Sequence, residues 1–328
     1  MHTQRLLGHK MYNLLQSVLL LGGMALLLML LGWLIAGVVG VGVAAVGVVL
    51  LLSSQRVSPQ LILRMYRARP LSAYEAPELV QIVHTLAQRA ELPAMPRLYY
   101  IPSAIMNAFS VGQQGNAAIG VTDALLRRLT RRELVGVLAH EMSHIHHNDT
   151  WVMSLADIVS RLTSLLSLSG QFLLIISLPM LLLGNYRPPW LLYALLIFAP
   201  TLSTLLQLAL SRTREFDADL EAIKLTGDPR GLASALAKLE RYQRGMLERM
   251  RLPGHRIPAP SLLRTHPATE ARIQRLLTLP DEPAPQDTQD TTVPHAVPLR
   301  PPAEDSPLAL QMPQLIGGPR WRLTGLWF

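Results

Sequence analysis

Residues 138–147 read "LAHEMSHIHH" and set four of the chain's ten histidines around a single glutamate. Inside this stretch lies the pattern H-E-x-x-H, formed by His140, Glu141 and His144. In a sequence of this length and composition it would arise by chance only about 0.02 times. On an α-helix, residues i and i+4 stand one above the other, so His140 and His144 can both turn a ring nitrogen toward one ion while Glu141 sits beside it. Those are the parts of metal-assisted hydrolysis: the imidazoles hold the ion and the carboxylate moves a proton. His146 and His147 lie past the useful face or at the helix end and are expected to be bystanders.

That geometry requires a helix, and "LTRRELVGVLAHEMSHI" supplies its signals. Thr130 and Glu133 form a capping-box pattern, followed by Leu134, Val137, Leu138, Met142 and Ile145 at helical spacing. A catalytic zinc takes three protein ligands and keeps a fourth position open. Candidates for the third stand in "SRTREFDADLEAI", where Glu215 and Asp219, four residues apart, share one helix face. One can ligate while the other accepts the free ring N–H of a ligand histidine. Spacing alone does not choose Glu215 over Glu221.

The rest of the chain says where such a site would be held. Hydrophobic residues make up 50% of it and charged residues 16%, outside the range of ordinary soluble domains. From Met11 to Gln55 there is no charged side chain, a run far longer than the roughly 20 residues one membrane-spanning helix needs. Two helices turning near Trp33 to Gly37 are expected. A secretory signal fits less well, because its apolar core runs only about 7–15 residues. A second charge-free pair, "LTSLLSLSGQFLLIISLPMLLLGNY" and "PPWLLYALLIFAPTLSTLLQLALS", flanks Arg187, with Pro188 and Pro189 at the turn. The expected count is four spans in two hairpins.

Residues 1–70 carry six Lys and Arg and no acidic residue, so they supply +6 of the +8 formal charge. Basic flanks stay cytoplasmic, and Arg212 and Arg214 leave the fourth span on the same side. This accounts for the basic charge without nucleic acid, for which no stacking aromatics or groove-reading motif is present. The absence of cysteine agrees with a reducing compartment.

Between and after the spans, "APELVQIVHTLAQRAEL" reads as a helix starting at Pro77, and "RLYYIP", "NAFSVG" and "AAIGVT" as short strands, the last two joined by a "QQGN" hairpin. "EFDADLEAIKL" and "PRGLASALAKLERYQRGMLERM" read as two helices separated by Gly227 and Pro229. The expected organisation is an N-terminal membrane hairpin at 1–56, a first part of the catalytic domain at 57–161 and a second hairpin at 162–211. The second catalytic part follows at 212–279, and a Pro-rich, disordered tail at 280–328.

With "HEMSH", "SRTREFDAD" and "THPATEARI" in this order around a membrane hairpin, and "MNAFSVG" and "GDPRGLASAL" besides, the chain resembles the HtpX family of membrane-bound zinc metalloproteases, relatives of the CAAX prenyl protease. The resemblance runs from the first hairpin to about Leu277. It implies a mainly α integral membrane protein with a small β-sheet and a zincin-like catalytic domain of the gluzincin type. It makes Glu215 the third ligand of one zinc ion, Asp219 its supporting carboxylate, Glu141 the general base, and His266 a substrate-orienting or transition-state donor. It also lays the segment of Asn107, Ala108 and Phe109 along the substrate cleft, where an extended polypeptide can pair as an added strand.

The implied function is cleavage of unfolded or damaged membrane proteins on the cytoplasmic side of the cell membrane. A dedicated processing protease for a membrane or prenylated precursor would use the same chemistry. A scaffold with structural zinc would need a closed set of four ligands. The C-terminal "GGPRWRLTGLWF" combines Trp and Arg as membrane-interface segments do, and is expected to dock back onto the membrane or the catalytic domain, near the cleft, and limit substrate entry.

Overall fold

The computed structural model describes residues 2–54, 59–182, 184, 190–250 and 269–279. His266, the turn at Arg187 to Pro189 and the tail from residue 280, with its aromatic end, lie outside the described residues.

The first element, α1 (His2–Ser54), is two helices joined at Ala36 and Gly37, where Gly37 takes a φ of +60°. The chain reverses there, within the turn expected from the sequence. The two arms then close so tightly that a Cβ on Gly40 would stand 1.9 Å from the carbonyl oxygen of Gly32. Only glycine permits that approach, and small residues at crossings are how apolar helices come together in lipid. Two further long apolar helices follow, α6 (Asp149–Leu182) and α7 (Trp190–Thr226). Among the described residues three helices are long and apolar enough to cross a membrane, the first of them folded in two.

Met24, Leu28, Ala44, Val152, Ala156, Val159 and Leu210 pack together inside this bundle. The opposite faces of the same helices expose Val38, Leu191, Phe172 and Phe198. Outward apolar surface of this extent on long helices suits hydrocarbon. Ser160 joins α6 to α7 through Ser203 at 3.0 Å and Gln207 at 2.9 Å.

The helices do not stop where composition changes from apolar to polar. The expected boundary at residue 162 lies inside α6, which starts at Asp149, and the expected separate helix "EFDADLEAIKL" is the end of α7. Between Thr201 and Thr226 there is no Gly or Pro, so nothing interrupts the backbone hydrogen bonding until Gly227. The apolar stretch and the polar segment that carries Glu215 and Asp219 are one rod.

The remaining elements form a layer of helices on a four-stranded sheet. They are α2 (Pro59–Met65), β1 (Arg69–Pro70), α3 (Pro77–Arg89), β2 (Arg97–Ile101), β3 (Ala108–Val111), β4 (Ala118–Thr122), α4 (Asp123–Arg128), α5 (Arg131–His146), α8 (Pro229–Met250) and α9 (Thr269–Leu277). Strand order is β1-β2-β4-β3, with β2 and β4 parallel and β3 and β4 antiparallel, Ala108 facing Val121 and Val111 facing Ala118. Of these, α2, β1 and α4 are not signalled by sequence pattern, being two to seven residues long.

The core places α5 between the sheet and α8. Leu134, Leu138 and Met142 are wholly buried in it together with Ile119, Val121, Leu232 and Leu236. Each such side chain contributes roughly 1.5–3 kcal/mol relative to exposure. A Cβ on Gly136 would meet the Leu232 backbone at 3.1 Å, so the α5 and α8 axes cross at a point that only a very small residue fits.

The expected capping box is present: the Thr130 side chain accepts from Glu133 N–H, and Glu133 Oε2 accepts from Thr130 N–H at 2.8 Å. Glu133 also accepts from Ser234 and Lys238 of α8, at 2.6 and 2.7 Å. Burial pushes its pKa up, but the bonds from Lys238, Ser234 and Thr130 outweigh this and hold it below the ordinary 4.5. A carboxyl depressed by folding stabilises the fold above its unfolded pKa and loses that contribution as pH falls through the folded value. The wild type should therefore lose more stability than Glu133→Gln between pH 7 and pH 3 in thermal unfolding. An identical pH profile for the two would contradict the assignment.

Candidate active site

His140 and His144 occupy successive turns of α5, and α7 crosses so that Glu215 reaches them from the opposite side. The donor atoms of His140, His144 and Glu215 all lie within 4.8 Å of one another, the one such group of three among the described residues. The two Nε2 atoms are 3.2 Å apart, His140 Nε2 is 3.4 Å from Glu215 Oε2, and His144 Nε2 is 3.9 Å from Glu215 Oε1. A tetrahedral ion with bonds of about 2.0–2.1 Å needs donor separations of roughly 3.3 Å. Glu221, which spacing could not rule out, instead pairs with Lys224 at 3.3 Å.

The far nitrogens decide what the near ones can do. His140 Nδ1 lies 3.1 Å from Asp219 Oδ1, and His144 Nδ1 lies 2.7 Å from Asp149 Oδ2. An ionised carboxylate only accepts, so both Nδ1 atoms donate. In the neutral rings both Nε2 atoms then carry lone pairs, aimed at each other across 3.2 Å. Such a pair is repulsive unless a proton or a metal ion stands between them, and with a carboxylate oxygen alongside the donor set fits a divalent cation. In the free protein, burial and Arg272 oppose charge on His140, but its bonds to Asp219 and Glu215 outweigh them and raise its pKa to about 9. Ligation must displace that proton.

Sequence reasoning missed Arg272 of α9. Its guanidinium is buried and makes a two-pronged bond to Asp219, Nε to Oδ2 at 2.7 Å and Nη2 to Oδ1 at 2.6 Å. Nη1 reaches Glu215 Oε2 at 2.6 Å. One arginine thus ties together a candidate ligand and the carboxylate behind another. The available signal was its position: Arg272 and Leu276, one helical turn apart, are both buried on the same stripe of α9, where a lone charge demands a buried counter-charge. Asp149, also missed, accepts from His144 and pairs with Arg214 at 3.2 Å.

Glu141 is buried, near enough for its charge to favour the charged forms of both His144 and Arg272. His147 turns away to Ser143, its Nδ1 3.0 Å from the carbonyl oxygen, and neither it nor His146 joins the cluster. His266 lies outside the described residues.

β3, which carries Ala108 and Phe109 and follows Asn107 directly, is at the edge of the sheet among the described residues, and it packs against α5. Gln114, in the β3–β4 turn, donates to the His146 carbonyl and pins the hairpin tip to the end of α5. Thr122 N–H donates to the Asn107 carbonyl at 3.1 Å, which makes Asn107 and Thr122 a hydrogen-bonded pair. Antiparallel pairs alternate, so Phe109 and Val111 also bond to β4 while the N–H and C=O groups of Ala108 and Ser110 face away from β4, along an edge that no strand among the described residues covers. The Phe109 ring packs on Tyr66 at 5.1 Å, on the side of the sheet away from α5.

Two histidines and a glutamate held this way by a helix and the end of a membrane span are the equipment of a metal-dependent hydrolase. The family described as Peptidase family M48 matches residues 73–279. The chain belongs to peptidase family M48. It is therefore a membrane metalloprotease, and the M48 match takes in every residue of the cluster.

Relatives agree with the M48 assignment over most of the chain. A protease HtpX homolog of Acaryochloris marina is 41% identical over 292 residues, covering 81% of this chain and 94% of that protein. One of Methylibium petroleiphilum is 33% identical over 291 residues, covering 82% and 98%. A crystal structure of S. mikatae Ste24p is 22% identical with a TM-score of 0.44, covering 83% of this chain and 66% of that one.

Proposed function

We propose that this metalloprotease uses zinc and cleaves unfolded or damaged membrane proteins on the cytoplasmic side of the cell membrane. The observation that carries this reading is the continuity of α7. Trp190–Thr226 is 37 residues long, and about 20 residues cross the hydrocarbon. Counted from Trp190, Glu215 then stands only about 8 Å beyond the membrane edge. A site so close to the bilayer meets chains as they leave it.

His140, His144 and Glu215 would hold the ion, a set of nitrogens and one carboxylate that suits zinc and leaves a position open. When bound, the metal lowers the pKa of water and polarises the scissile carbonyl. Glu141 takes the proton from the attacking water and delivers it to the leaving amine. Asp219 fixes the His140 tautomer. His266 is proposed as a donor to the developing oxyanion. An extended substrate pairs with the open edge at Ala108 and Ser110, next to Asn107 and Phe109, and such pairing reads backbone more than side chains. That suits a protease acting on many unfolded chains. Comparing the membrane proteomes of cells that carry wild type and Glu141→Gln would identify the substrates as proteins that accumulate intact only in the variant.

Orientation has its own test. The chain has no cysteine, so a single one reports its side cleanly. Gln114 is engaged with His146, whereas its neighbour Gln113 is exposed and better suited. A cysteine at Gln113 should resist an impermeant thiol reagent in intact cells and react after lysis. Labelling in intact cells would place the catalytic side outside.

A further inference from the structure

Each histidine of the candidate metal site is backed by a carboxylate, and each carboxylate by an arginine. The first relay, His140–Asp219–Arg272, lies within the segments already assigned to the site. The second is His144–Asp149–Arg214, and its members come from three elements: the catalytic helix, the first turn of α6 and the membrane-proximal part of α7.

Reaching this arrangement takes a specific break in the backbone. Asp149 follows His144 by five residues, and on an uninterrupted helix it would point about 140° away. The helix stops instead at His147, whose N–H bonds to Ser143 O at 2.9 Å, and Asn148 takes a φ of +52°. Asparagine tolerates that left-handed conformation better than other residues with a Cβ. The chain then restarts as α6, with Trp151 N–H donating to Asn148 O at 2.9 Å. The restart aims Asp149 back at the ring it has just passed. Its carboxylate is buried at 4% exposure, with one oxygen 2.7 Å from His144 Nδ1 and the other 3.2 Å from Arg214 Nη1. A charge so buried is costly unless it is held on both sides. Its place in the first turn of α6 adds the favourable end of a helix dipole.

We propose that Asp149 is a positioning residue that fixes the orientation and tautomer of His144 and, through Arg214, locks the metal site to the two membrane helices α6 and α7. This rests on the reading of His140, His144 and Glu215 as the ligands. The residue touches no substrate and acts only through the histidine. Groups that orient a ligand in this way typically change metal affinity 10–100-fold when removed.

The test uses the full chain in lipid nanodiscs, loaded with zinc, and reads the rate of metal release to a chromophoric chelator. Asp149→Ala should release zinc roughly 10–100-fold faster than wild type, and Asp149→Asn and Arg214→Gln by smaller factors. Asn148→Gly, which keeps the left-handed turn, should behave as wild type, whereas Asn148→Val, which disfavours it, should approach Asp149→Ala. The cobalt-loaded variants should show a shifted visible spectrum, a signature that loss of packing elsewhere would not produce. Should Asp149→Ala fail to fold, Asp149→Asn and Asn148→Val carry the same comparison. Wild-type release rates in Asp149→Ala and Asp149→Asn, with Glu215→Ala losing its metal, would overturn this proposal and leave the ligand assignment standing. Full retention of metal by Glu215→Ala would overturn both.

Discussion

Glu141→Gln should keep its metal and lose its turnover. Glutamine matches glutamate in shape, and the three converging donors belong to His140, His144 and Glu215, so the substitution removes none of them. An amide cannot accept the proton of the attacking water at neutral pH, and loss of a general base costs roughly 10²–10⁴-fold in rate. The expected result is a fall of that size in kcat on an unfolded polypeptide, with KM changed far less and one metal ion per chain retained. Glu215→Ala should fail in the complementary way, losing the metal and the activity together, while Glu221→Ala keeps both. Loss of metal from Glu141→Gln, or retained turnover, would contradict the division of roles among these carboxylates.

What could be read from the chain alone follows the reach of the interactions. The H-E-x-x-H pair and the Thr130–Glu133 capping box depend on residues three or four positions apart on one helix, and both are where the pattern put them. The β3–β4 hairpin and the turn at Ala36–Gly37 are also local, set by short polar or glycine-containing stretches. Helix ends were less legible. The change from apolar to polar at Ser211 is a change of composition, not of hydrogen bonding, and without Gly or Pro the helix runs on to Thr226. Asp149 was hidden because its direction depends on one left-handed residue, Asn148. Arg272 was hidden because its partners stand 53 and 57 positions away, at Asp219 and Glu215, and only the docking of α9 brings them together.

That docking makes Arg272 the position with the largest expected effect on stability. Asp219, Glu215 and Arg272 are all buried, and the guanidinium offers three nitrogens to the two carboxylates. Burial alone would lower the arginine's pKa, but the two carboxylates raise it above its ordinary value, so it stays charged. Arg272→Met keeps much of the volume of the stem and removes the charge, which leaves two buried carboxylates with only the His140 ring to balance them. Breaking a buried ion pair from one side costs about 3–5 kcal/mol. Metal-free Arg272→Met should therefore unfold at a markedly lower temperature than metal-free wild type. A divalent ion held by His140, His144 and Glu215 supplies positive charge at the same place, so adding zinc should raise the melting temperature of Arg272→Met by more than it raises that of wild type. Arg272→Lys should fall between the two, since an ammonium group is a point charge and cannot form the two-pronged bond to Asp219. Differential scanning of the full chain in nanodiscs, with and without chelator, makes the comparison. Equal melting temperatures for the metal-free proteins would mean that the arginine contributes no net stabilisation, and an equal response to zinc would mean that it does not share its charge compensation with the metal.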